Sequence, residues 1–349
     1  MRVAVTGASG NLGTSVLHAL AGEDQVEEIL GIVRRRPDLE LPKTTWVEAD
    51  VASDDLELPF QGADAVVHLA WLIQPSRNQR LLREANLLGS RRVFQAVDRA
   101  KVGTLVYASS IGAYSPGPKD SAVDESWPTD GILTSAYARQ KASVERMLDS
   151  FEQEHPEVRS VRFRPGLMFK REASTGVRRL FLGPLLPNRL VRQRLPLFPF
   201  IPGLVFQCLH TDDAADAFRR ALVSDVRGPF NLAADPPLDL EGVARIFGAR
   251  TFTVPPSLVR GAAAWSWRLN LQPSDEGWFD MAMSVPVMDT GRARRELGWE
   301  PEVDAPAALE ELVAGIREGA DFETPPLAHD TSGPARMKEL ATGLGRGSQ

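Results

Sequence analysis

A tyrosine and a lysine four positions apart are the residues whose types and spacing best suit catalysis. Tyr137 and Lys141 lie in a segment of helical apolar periodicity that begins at Ala136 and continues through Leu148. Residues i and i+4 share one face of a helix. A free tyrosine has a pKa of about 10, which a neighbouring ammonium lowers towards the range of efficient proton transfer. The spacing therefore predicts a proton-transfer site, with an idle exposed pair as the alternative.

The N-terminal segment carries a glycine pattern that is typical of nucleotide binding. Gly7, Gly10 and Gly13 follow a short apolar strand, residues 2–6, and precede a helix with apolar periodicity. Glycines let the backbone turn sharply and approach a pyrophosphate, and the helix N-terminus offers N–H groups and a positive dipole end. A tight turn without a ligand is the alternative. The position of the glycines directly behind a strand favours the nucleotide.

A basic turn follows the second predicted strand, residues 29–33. Arg34 lies at the place, about 20 residues after the glycines, where an acid would bind the ribose 2′-hydroxyl of NAD and an arginine accommodates the 2′-phosphate of NADP. After Arg34, the first acidic residue is Asp38. The sequence therefore predicts NADP as the cofactor, with NAD as the second choice. A solvated basic turn is the alternative.

The order of the elements predicts an α/β fold with a doubly wound parallel (Rossmann) sheet. Further strands predicted at 46–51, 65–70 and 103–108 alternate with helical segments such as 81–100, and this alternation favours right-handed crossovers. Ser110 follows the strand at 103–108 and so lies at the carboxyl edge, where such sheets bind ligands. We predict a dinucleotide-binding domain at 1–168, completed by about 204–235, a smaller mixed substrate-binding lobe from 169–203 and 236–319, and a flexible tail at 320–349.

The composition of the chain limits the classes of partner it is expected to bind and the compartment in which it is expected to occur. The chain has 349 residues and a net charge of −6, which gives no support to a nucleic-acid partner. The single cysteine, Cys208, excludes an internal disulfide and fits a reducing compartment. The most apolar stretch, 195–209, is short and broken by prolines, and no signal peptide precedes the first strand. We predict a cytoplasmic protein with no membrane partner and no metal site.

Taken together, these motifs resemble the extended branch of the short-chain dehydrogenase/reductase superfamily, the NAD(P)-dependent epimerase/dehydratase type. The glycine pattern, Asp50, Ser110 and the Tyr137 and Lys141 pair carry the resemblance. It runs in the same order from residue 1 to about residue 301. Further landmarks are Asn86-x-x-Gly89, Arg164-Pro165-Gly166, His210-Thr211-Asp212-Asp213 and Asn231.

The resemblance implies roles for individual residues. Ser110 would hydrogen-bond the reacting oxygen, Tyr137 would give or take its proton, and Lys141 would hold the nicotinamide ribose. A small-molecule substrate and a homodimer are implied as well. Including Arg34, the residues predicted to bind the cofactor are Gly7, Gly10, Asn11, Leu12, Gly13, Arg34, Asp50, Val51, Leu69, Ala70, Tyr137, Lys141, Pro165, Gly166 and Leu167.

Two positions depart from the sugar-nucleotide members of this branch. Phe206 stands four residues before His210, where those members carry an arginine for the substrate pyrophosphate, and Leu167 stands where they carry an asparagine. An apolar side chain cannot replace a bidentate cation. We therefore predict a neutral, partly apolar carbonyl substrate in contact with Trp71, Ser110 and Phe206. An alternative phosphate ligand is the group of arginines Arg178, Arg179, Arg189, Arg192 and Arg194.

The predicted reaction is hydride transfer at a carbonyl or secondary alcohol by an NAD(P)-dependent oxidoreductase with a Ser-Tyr-Lys triad. An epimerase that acts on sugars or sugar nucleotides would use the same residues twice with tightly bound cofactor. Dehydration is disfavoured, because Ile111 and Gly112 follow Ser110 where the dehydratases carry Asp-Glu. An NADP-sensing regulatory protein without turnover is the alternative from another class.

Overall fold

Seven parallel strands form the main sheet of the structure, a computed structural model that describes residues 1–73, 77–174, 197–272, 274–320 and 324. The strands of the described residues are β1 (Arg2–Thr6), β2 (Glu28–Val33), β3 (Thr44–Glu48), β4 (Ala65–His68), β5 (Thr104–Ala108), β6 (Ala122–Val123), β7 (Arg159–Pro165), β8 (Leu167–Phe169), β9 (Leu197–Phe200), β10 (Val205–Phe206), β11 (Cys208–His210), β12 (Gly228–Leu232), β13 (Leu238–Asp239), β14 (Arg250–Thr253) and β15 (Val287–Met288).

The strand order of the main sheet is β12-β7-β5-β4-β1-β2-β3. All neighbours in it pair in parallel. The order reverses between β1 and β4, and ligands of open α/β sheets bind outside the carboxyl ends of the strands at such a reversal. The predicted doubly wound parallel sheet is confirmed. The remaining strands form two-stranded pairs: β8 with β11, β10 with β13, β9 with β14 and β6 with β15.

Helices cover both faces of the sheet. They are α1 (Asn11–Ala21), α2 (Glu57–Phe60), α3 (Gln79–Arg83), α4 (Gly89–Arg99), α5 (Ala136–Glu154), α6 (Thr211–Leu222), α7 (Leu240–Phe247), α8 (Pro256–Arg268), α9 (Glu276–Ser284), α10 (Gly291–Leu297) and α11 (Ala305–Glu318). A π-helical turn, Glu84–Leu88, joins α3 to α4, and short 3₁₀ turns occur at Ile111–Ala113 and Arg171–Ala173. Among the helices of the described residues, none has both the length and the apolar character that a bilayer span requires.

The hydrophobic core lies in two layers because the strands are buried on both faces. Val3 and Val5 of β1 point to a layer that includes side chains of α1, α6 and α11. Ala4, between them, points to the opposite layer with side chains of α4 and α5. This alternation of a central strand fixes α1 and α5 on opposite faces of the sheet, with both helices beginning near its carboxyl edge.

Two predicted strands are shorter in the structure. The strand predicted at 46–51 ends at Glu48, because the Asp50 carboxylate accepts a hydrogen bond from Ala52 N at 2.9 Å and closes a turn. The strand predicted at 65–70 ends at His68. The arginines between 178 and 194 lie outside the described residues, and so does the predicted tail apart from residues 320 and 324.

Candidate active site

The backbone between β1 and α1 forms a cradle that has no room for side chains. Gly7 has φ of +71°, and a Cβ there would lie 2.7 Å from Ala70 N. A Cβ on Gly13 would lie 2.3 Å from Gly7 O. Helix α1 begins after Gly10, and no side chain caps its N-terminus. No side-chain cap therefore occupies the first turn of α1, which contains the N–H groups of Asn11, Leu12 and Gly13. Such N–H groups can donate hydrogen bonds to the pyrophosphate of a dinucleotide.

The carboxyl ends of β1 and β4 hold this cradle in place. Leu69 N donates to Thr6 O at 3.1 Å, and Ala70 N donates to the Thr6 hydroxyl at 3.4 Å. Ala70 therefore lies against Gly7, at the point where the strand order reverses. The structure brings together the glycines, Leu69 and Ala70, as the predicted cofactor site requires.

The predicted adenosine end of the site lies beyond β2 and β3. Arg34 directly follows β2 and is exposed, and within the described ranges it forms no ion pair. Asp50 and Val51 follow the neighbouring strand β3. Val51 is buried beneath Gly89, where a Cβ would lie 3.0 Å from Val51 Cγ2. The Arg34 guanidinium is therefore accessible to a ligand at the carboxyl edge of the main sheet.

Ser110 and Tyr137 meet on the other side of the reversal. Ser110 begins the 3₁₀ turn after β5, and its Oγ accepts a hydrogen bond from Gly112 N at 3.0 Å. Gly112 in turn packs against the Tyr137 ring, where a Cβ would lie 2.9 Å from it. Helix α5 starts one residue before Tyr137 because the Ser135 hydroxyl caps it, accepting from Ala138 N at 3.3 Å. The two predicted catalytic residues therefore lie side by side around Gly112.

Lys141 is buried one turn further along α5, with an exposed fraction of 3%. Its ammonium donates to Ala108 O at 2.8 Å and lies 3.5 Å from the Tyr107 hydroxyl. It also lies 3.6 Å from the centre of the Trp71 ring, a cation–π contact. Burial lowers the pKa of Lys141 to about 7, against the opposing charge of Glu145.

The predicted lowering of the Tyr137 pKa by Lys141 is not found. Burial raises the pKa of Tyr137 to about 12, and the neighbouring Ser110 side chain only partly opposes this rise. The Lys141 ammonium is directed instead to the Ala108 carbonyl and the Trp71 ring. At neutral pH Tyr137 is therefore a neutral phenol, which can donate a proton.

Aromatic and sulfur-containing side chains surround the Tyr137 ring. The Trp71 ring lies edge-on to it, with centroids 6.1 Å apart, and the Trp278 ring of α9 lies at 5.2 Å with an interplanar angle of 30°. A Cβ on Gly112 would lie 2.9 Å from the Tyr137 ring and 3.1 Å from Met281 Sδ. Trp71 was among the predicted substrate contacts. Trp278 and Met281 were not, although Trp278 belongs, with Trp265 and Trp267, to a cluster of three tryptophans whose spacing fits either an apolar pocket wall or packing between lobes.

Asn86 fixes the segment that carries Trp71. Its amide pairs with both backbone groups of Leu72: Oδ1 accepts from Leu72 N at 2.8 Å, and Nδ2 donates to Leu72 O at 3.1 Å. Nδ2 also donates to Gln140 Oε1 of α5 at 2.8 Å. Asn86 lies in the π-helical turn, a conformation that is frequent at functional sites. This amide therefore ties the Trp71 segment to the helix of Tyr137.

The turn after β7 completes the described wall of the site. A Cβ on Gly166 would lie 2.5 Å from Gln207 O, which leaves room only for glycine. Leu167 N donates to the same carbonyl at 2.9 Å. This contact places Leu167 beside the segment that contains Phe206, and both apolar side chains are half-buried. Pro165, the last residue of β7, precedes this turn.

A closed ionic network lies behind Tyr137 and Lys141. Glu145, fully buried on α5, accepts from Arg164 Nε and Nη2 at 3.0 and 2.9 Å and from Arg162 Nη1 at 2.9 Å. The Ser109 hydroxyl donates to it at 2.5 Å. Burial alone would raise the pKa of Glu145, but the hydrogen bonds and charges of both arginines lower it to about 2.

One group of potential metal ligands occurs among the described residues, away from this site. Asp98, His155 and Glu157 lie near the far end of α5 with their ligand atoms within 4.8 Å of one another. The Lys101 ammonium already lies 3.1 Å from Asp98 Oδ1. These contacts are those of a surface ion-pair cluster.

Comparisons with known proteins agree with this geometry. Residues 3–233 match the sequence profile described as "NAD dependent epimerase/dehydratase family". The uncharacterised protein Rv2047c of Mycobacterium tuberculosis is 28% identical over 320 residues, which are 91% of this chain and 30% of that protein. This chain thus spans less than a third of the length of that relative.

Solved structures share the fold over most of the chain. A UDP-glucose 4-epimerase from Stenotrophomonas maltophila, with bound NAD and formylated UDP-arabinopyranose, is 19% identical with a TM-score of 0.69, covering 91% of this chain and 98% of that one. The dTDP-glucose 4,6-dehydratase DesIV of Streptomyces venezuelae, with NAD and TYD bound, is 20% identical with a TM-score of 0.68, covering 91% and 97%.

Proposed function

The chain belongs to the NAD dependent epimerase/dehydratase family, and within that family we propose that it reduces a carbonyl compound, or oxidises the corresponding alcohol, with NADP(H). This family membership makes it an NAD(P)-dependent oxidoreductase or epimerase. The observation that carries the proposal is the position of the Tyr137 ring against Gly112, whose N–H donates to the Ser110 hydroxyl, on the same helix as the buried ammonium of Lys141. These three side chains meet at the carboxyl edge of the sheet, next to the glycine cradle.

Each group of the site has one task in the proposed reaction. The cradle of Gly7, Gly10 and Gly13 would hold the pyrophosphate of the cofactor, and Lys141 would hold its nicotinamide ribose. The cofactor, when bound, supplies or accepts the hydride at the substrate carbon. In the reducing direction Ser110 donates a hydrogen bond to the carbonyl oxygen, and Tyr137 transfers its proton to that oxygen to give the alcohol. The rings of Trp71 and Trp278 limit the access of water.

The protonation state of Tyr137 supports reduction as the favoured direction. A phenol with a pKa of about 12 keeps its proton at neutral pH and serves as a general acid. An epimerase would need the same hydroxyl as a base in one half-reaction and as an acid in the other.

Arg34 supports NADP as the preferred cofactor. Its guanidinium is exposed at the end of β2 and, within the described ranges, forms no ion pair. The solved relatives described above bind NAD, so the preference for NADP is a property we propose for this chain. Equilibrium titration with NADPH and NADH tests it. We expect tighter binding of NADPH than of NADH. Tighter binding of NADH would contradict the cofactor preference, and a protein that binds neither nucleotide would contradict the proposed function.

A neutral, partly apolar substrate is part of the same proposal. Leu167 and Phe206 stand where sugar-nucleotide enzymes carry polar or charged groups, and Trp71 and Trp278 add apolar surface beside Tyr137. Titration calorimetry of the NADP-loaded protein with UDP and dTDP should show no heat. Micromolar binding of either nucleotide would restore the sugar-nucleotide interpretation.

A screen of ketones for substrate-dependent loss of NADPH absorbance then identifies the reaction. We expect turnover with a neutral, partly apolar ketone. A cytoplasmic location and a homodimer belong to this proposal too, supported by the single buried cysteine and by the family resemblance respectively.

A further inference from the structure

Helix α8 presents an apolar face to solvent. Four apolar residues recur along it at spacings of four, three and four positions, which we call the α8 stripe: Leu258, Ala262, Trp265 and Leu269. Leu269 directly follows the last residue of the helix. At about 100° per residue, the four positions fall within about 60° of one another around the helix axis. All four are exposed, and the three large side chains have exposed fractions of 62–64%.

The opposite side of α8 carries the contacts with the rest of the protein. Arg260 donates to both carboxylate oxygens of Asp280 of α9, at 2.8 and 3.0 Å. Ala264, on the same side as Arg260, is buried. The Trp267 ring lies there too, with the Arg77 guanidinium 4.5 Å from its centre. A surface helix of a soluble protein usually has its apolar stripe towards the core and its charges towards water. In α8 the large apolar side chains of the stripe face outwards instead.

The fold gains little from the α8 stripe. Apolar side chains stabilise a protein through the area that they remove from water, and these side chains keep most of their area in water. Single exposed apolar residues are common, but contiguous ones mark surfaces that bind a membrane or another protein. Leu271, which follows the stripe by two residues, is half exposed and extends the apolar surface along the chain.

The charge of the surrounding segment distinguishes between these partners. Residues 242–274 contain no aspartate or glutamate, although the chain as a whole has a net charge of −6. The same residues contain four arginines, all of them exposed: Arg245, Arg250, Arg260 and Arg268. Asp280 neutralises Arg260, while the other three form no ion pair with the residues that the structure describes. The segment is therefore both apolar and cationic at its surface.

Trp265 and Arg268 have the chemistry of a membrane interface. The Arg268 guanidinium lies 5.9 Å from the centre of the Trp265 ring, so a cation borders the stripe. Tryptophan is enriched at the level of lipid headgroups, and arginine keeps its charge in the headgroup layer while its stem lies along apolar surface. Anionic lipids attract such a surface. A second copy of the chain bound to the same stripe would instead bring like charges together.

We propose that α8 is an interfacial helix, which binds the surface of an anionic membrane by inserting the α8 stripe among the lipid headgroups. A helix of this kind lies in the plane of the interface and does not cross the bilayer. The proposal replaces the sequence-based expectation of no membrane partner, and it does not depend on the reaction that the active site performs.

Flotation with lipid vesicles tests this binding. The full chain should float with vesicles of phosphatidylglycerol, about tenfold less with vesicles of zwitterionic phosphatidylcholine, and less at high salt. The double variant Trp265→Ser/Leu269→Ser should lower the partition to phosphatidylglycerol at least about tenfold, because it removes two inserted side chains. Trp265→Phe keeps a ring and should stay within about threefold of the wild type.

Leu58 of α2 offers a matched control. It is another exposed helical leucine, with an exposed fraction of 74%. Leu58→Ser should float like the wild type. All these variants alter exposed side chains, so their unfolding midpoints should stay close to that of the wild type.

Three results would overturn the proposal. The first is a wild-type protein that does not float with phosphatidylglycerol vesicles. The second is equal flotation of the double variant and the wild type, because the stripe would then not be the contact. The third is a concentration-dependent dimer in sedimentation velocity that the double variant abolishes, together with no vesicle binding by the wild type, because a second copy would then cover the stripe.

Discussion

Helix α5 carries two stretches of ionisable groups whose chemistry differs. Tyr137 and Lys141 occupy its first turns, and Glu145 and Asp149 follow at the same four-residue spacing, so all four lie along one side of the helix. In the first stretch burial disfavours the charged forms of the side chains. In the second stretch the arginine side chains stabilise the charged form of Glu145. The two stretches therefore differ in the hydrogen-bond partners of their ionisable groups.

Lys141 and Glu145 show this difference most clearly, because both are almost completely buried. Glu145 has hydrogen bonds from Arg164 and Arg162, and its pKa falls to about 2. Lys141 has a carbonyl and two aromatic rings, and its pKa falls to about 7. A buried charge with full partners is chemically inert, whereas one without them remains close to a change of protonation state. We call Tyr137 and Lys141 the open stretch and Glu145 with its arginine partners the closed stretch. The open stretch is the one beside the cofactor cradle.

The largest expected effect follows from loss of the closed stretch. Glu145→Ala leaves two buried guanidinium groups without their shared carboxylate, and the loss of one partner of a buried pair costs about 3–5 kcal/mol. Asp149→Ala is the control, because Asp149 contacts the same Arg162 at 2.6 Å but has 53% of its side chain exposed. Its loss should cost less than about 1 kcal/mol. Denaturant unfolding measures both, and equal losses would contradict the distinction between the two stretches.

The same carboxylate should give stability an acid dependence. The pKa of Glu145 is about 2 in the folded protein against an ordinary value of 4.5. A lowered pKa stabilises the fold above the unfolded value, and this stabilisation is lost as the pH falls from about 4.5 towards 2. The size is about 3 kcal/mol. Unfolding free energies measured across this range should fall in the wild type and fall less in Glu145→Gln. Parallel curves would show that Glu145 is not the responsible group.

The smallest of these effects concerns Arg34, which lies after β2 at the predicted adenosine end of the cofactor site, away from α5. Arg34→Asp should weaken NADPH by about 1.5–3 kcal/mol, the size of a hydrogen bond to a charged group, and should favour NADH in relative terms. Binding titrations with both nucleotides give the ratio. A wild-type preference for NADH would contradict the assignment of Arg34.

Local patterns allowed most of the fold to be predicted. Strand β1 has the predicted bounds, and β2 and β5 differ from them by one residue. The predicted third strand was too long because the Asp50 turn depends on hydrogen bonds that hydrophobicity does not report. The proximity of Ser110 and Tyr137 was foreseeable, since sheet topology brings loops after parallel strands to one edge.

Two features of the molecule, the pKa of Tyr137 and the position of Lys170, depend on contacts between residues far apart in the chain and could not be predicted from local sequence patterns. The pKa of Tyr137 follows from burial by side chains such as Trp278, which is distant in the chain. Lys170 lies 156 residues from Thr14, to which it is bonded, and no local pattern in either segment marks this contact. Spacing within a helix predicted which side chains share a face but not the environment that sets their protonation.

The central claim is that the open stretch of α5 transfers a proton, and Tyr137→Phe tests it most directly. The variant removes one hydroxyl and keeps the ring between Trp71 and Trp278. With the ketone identified by the screen, kcat should fall by at least ~10²-fold, the scale of a general acid, while the Kd of NADPH measured by titration stays close to that of the wild type. Turnover near the wild-type rate in Tyr137→Phe would contradict the account.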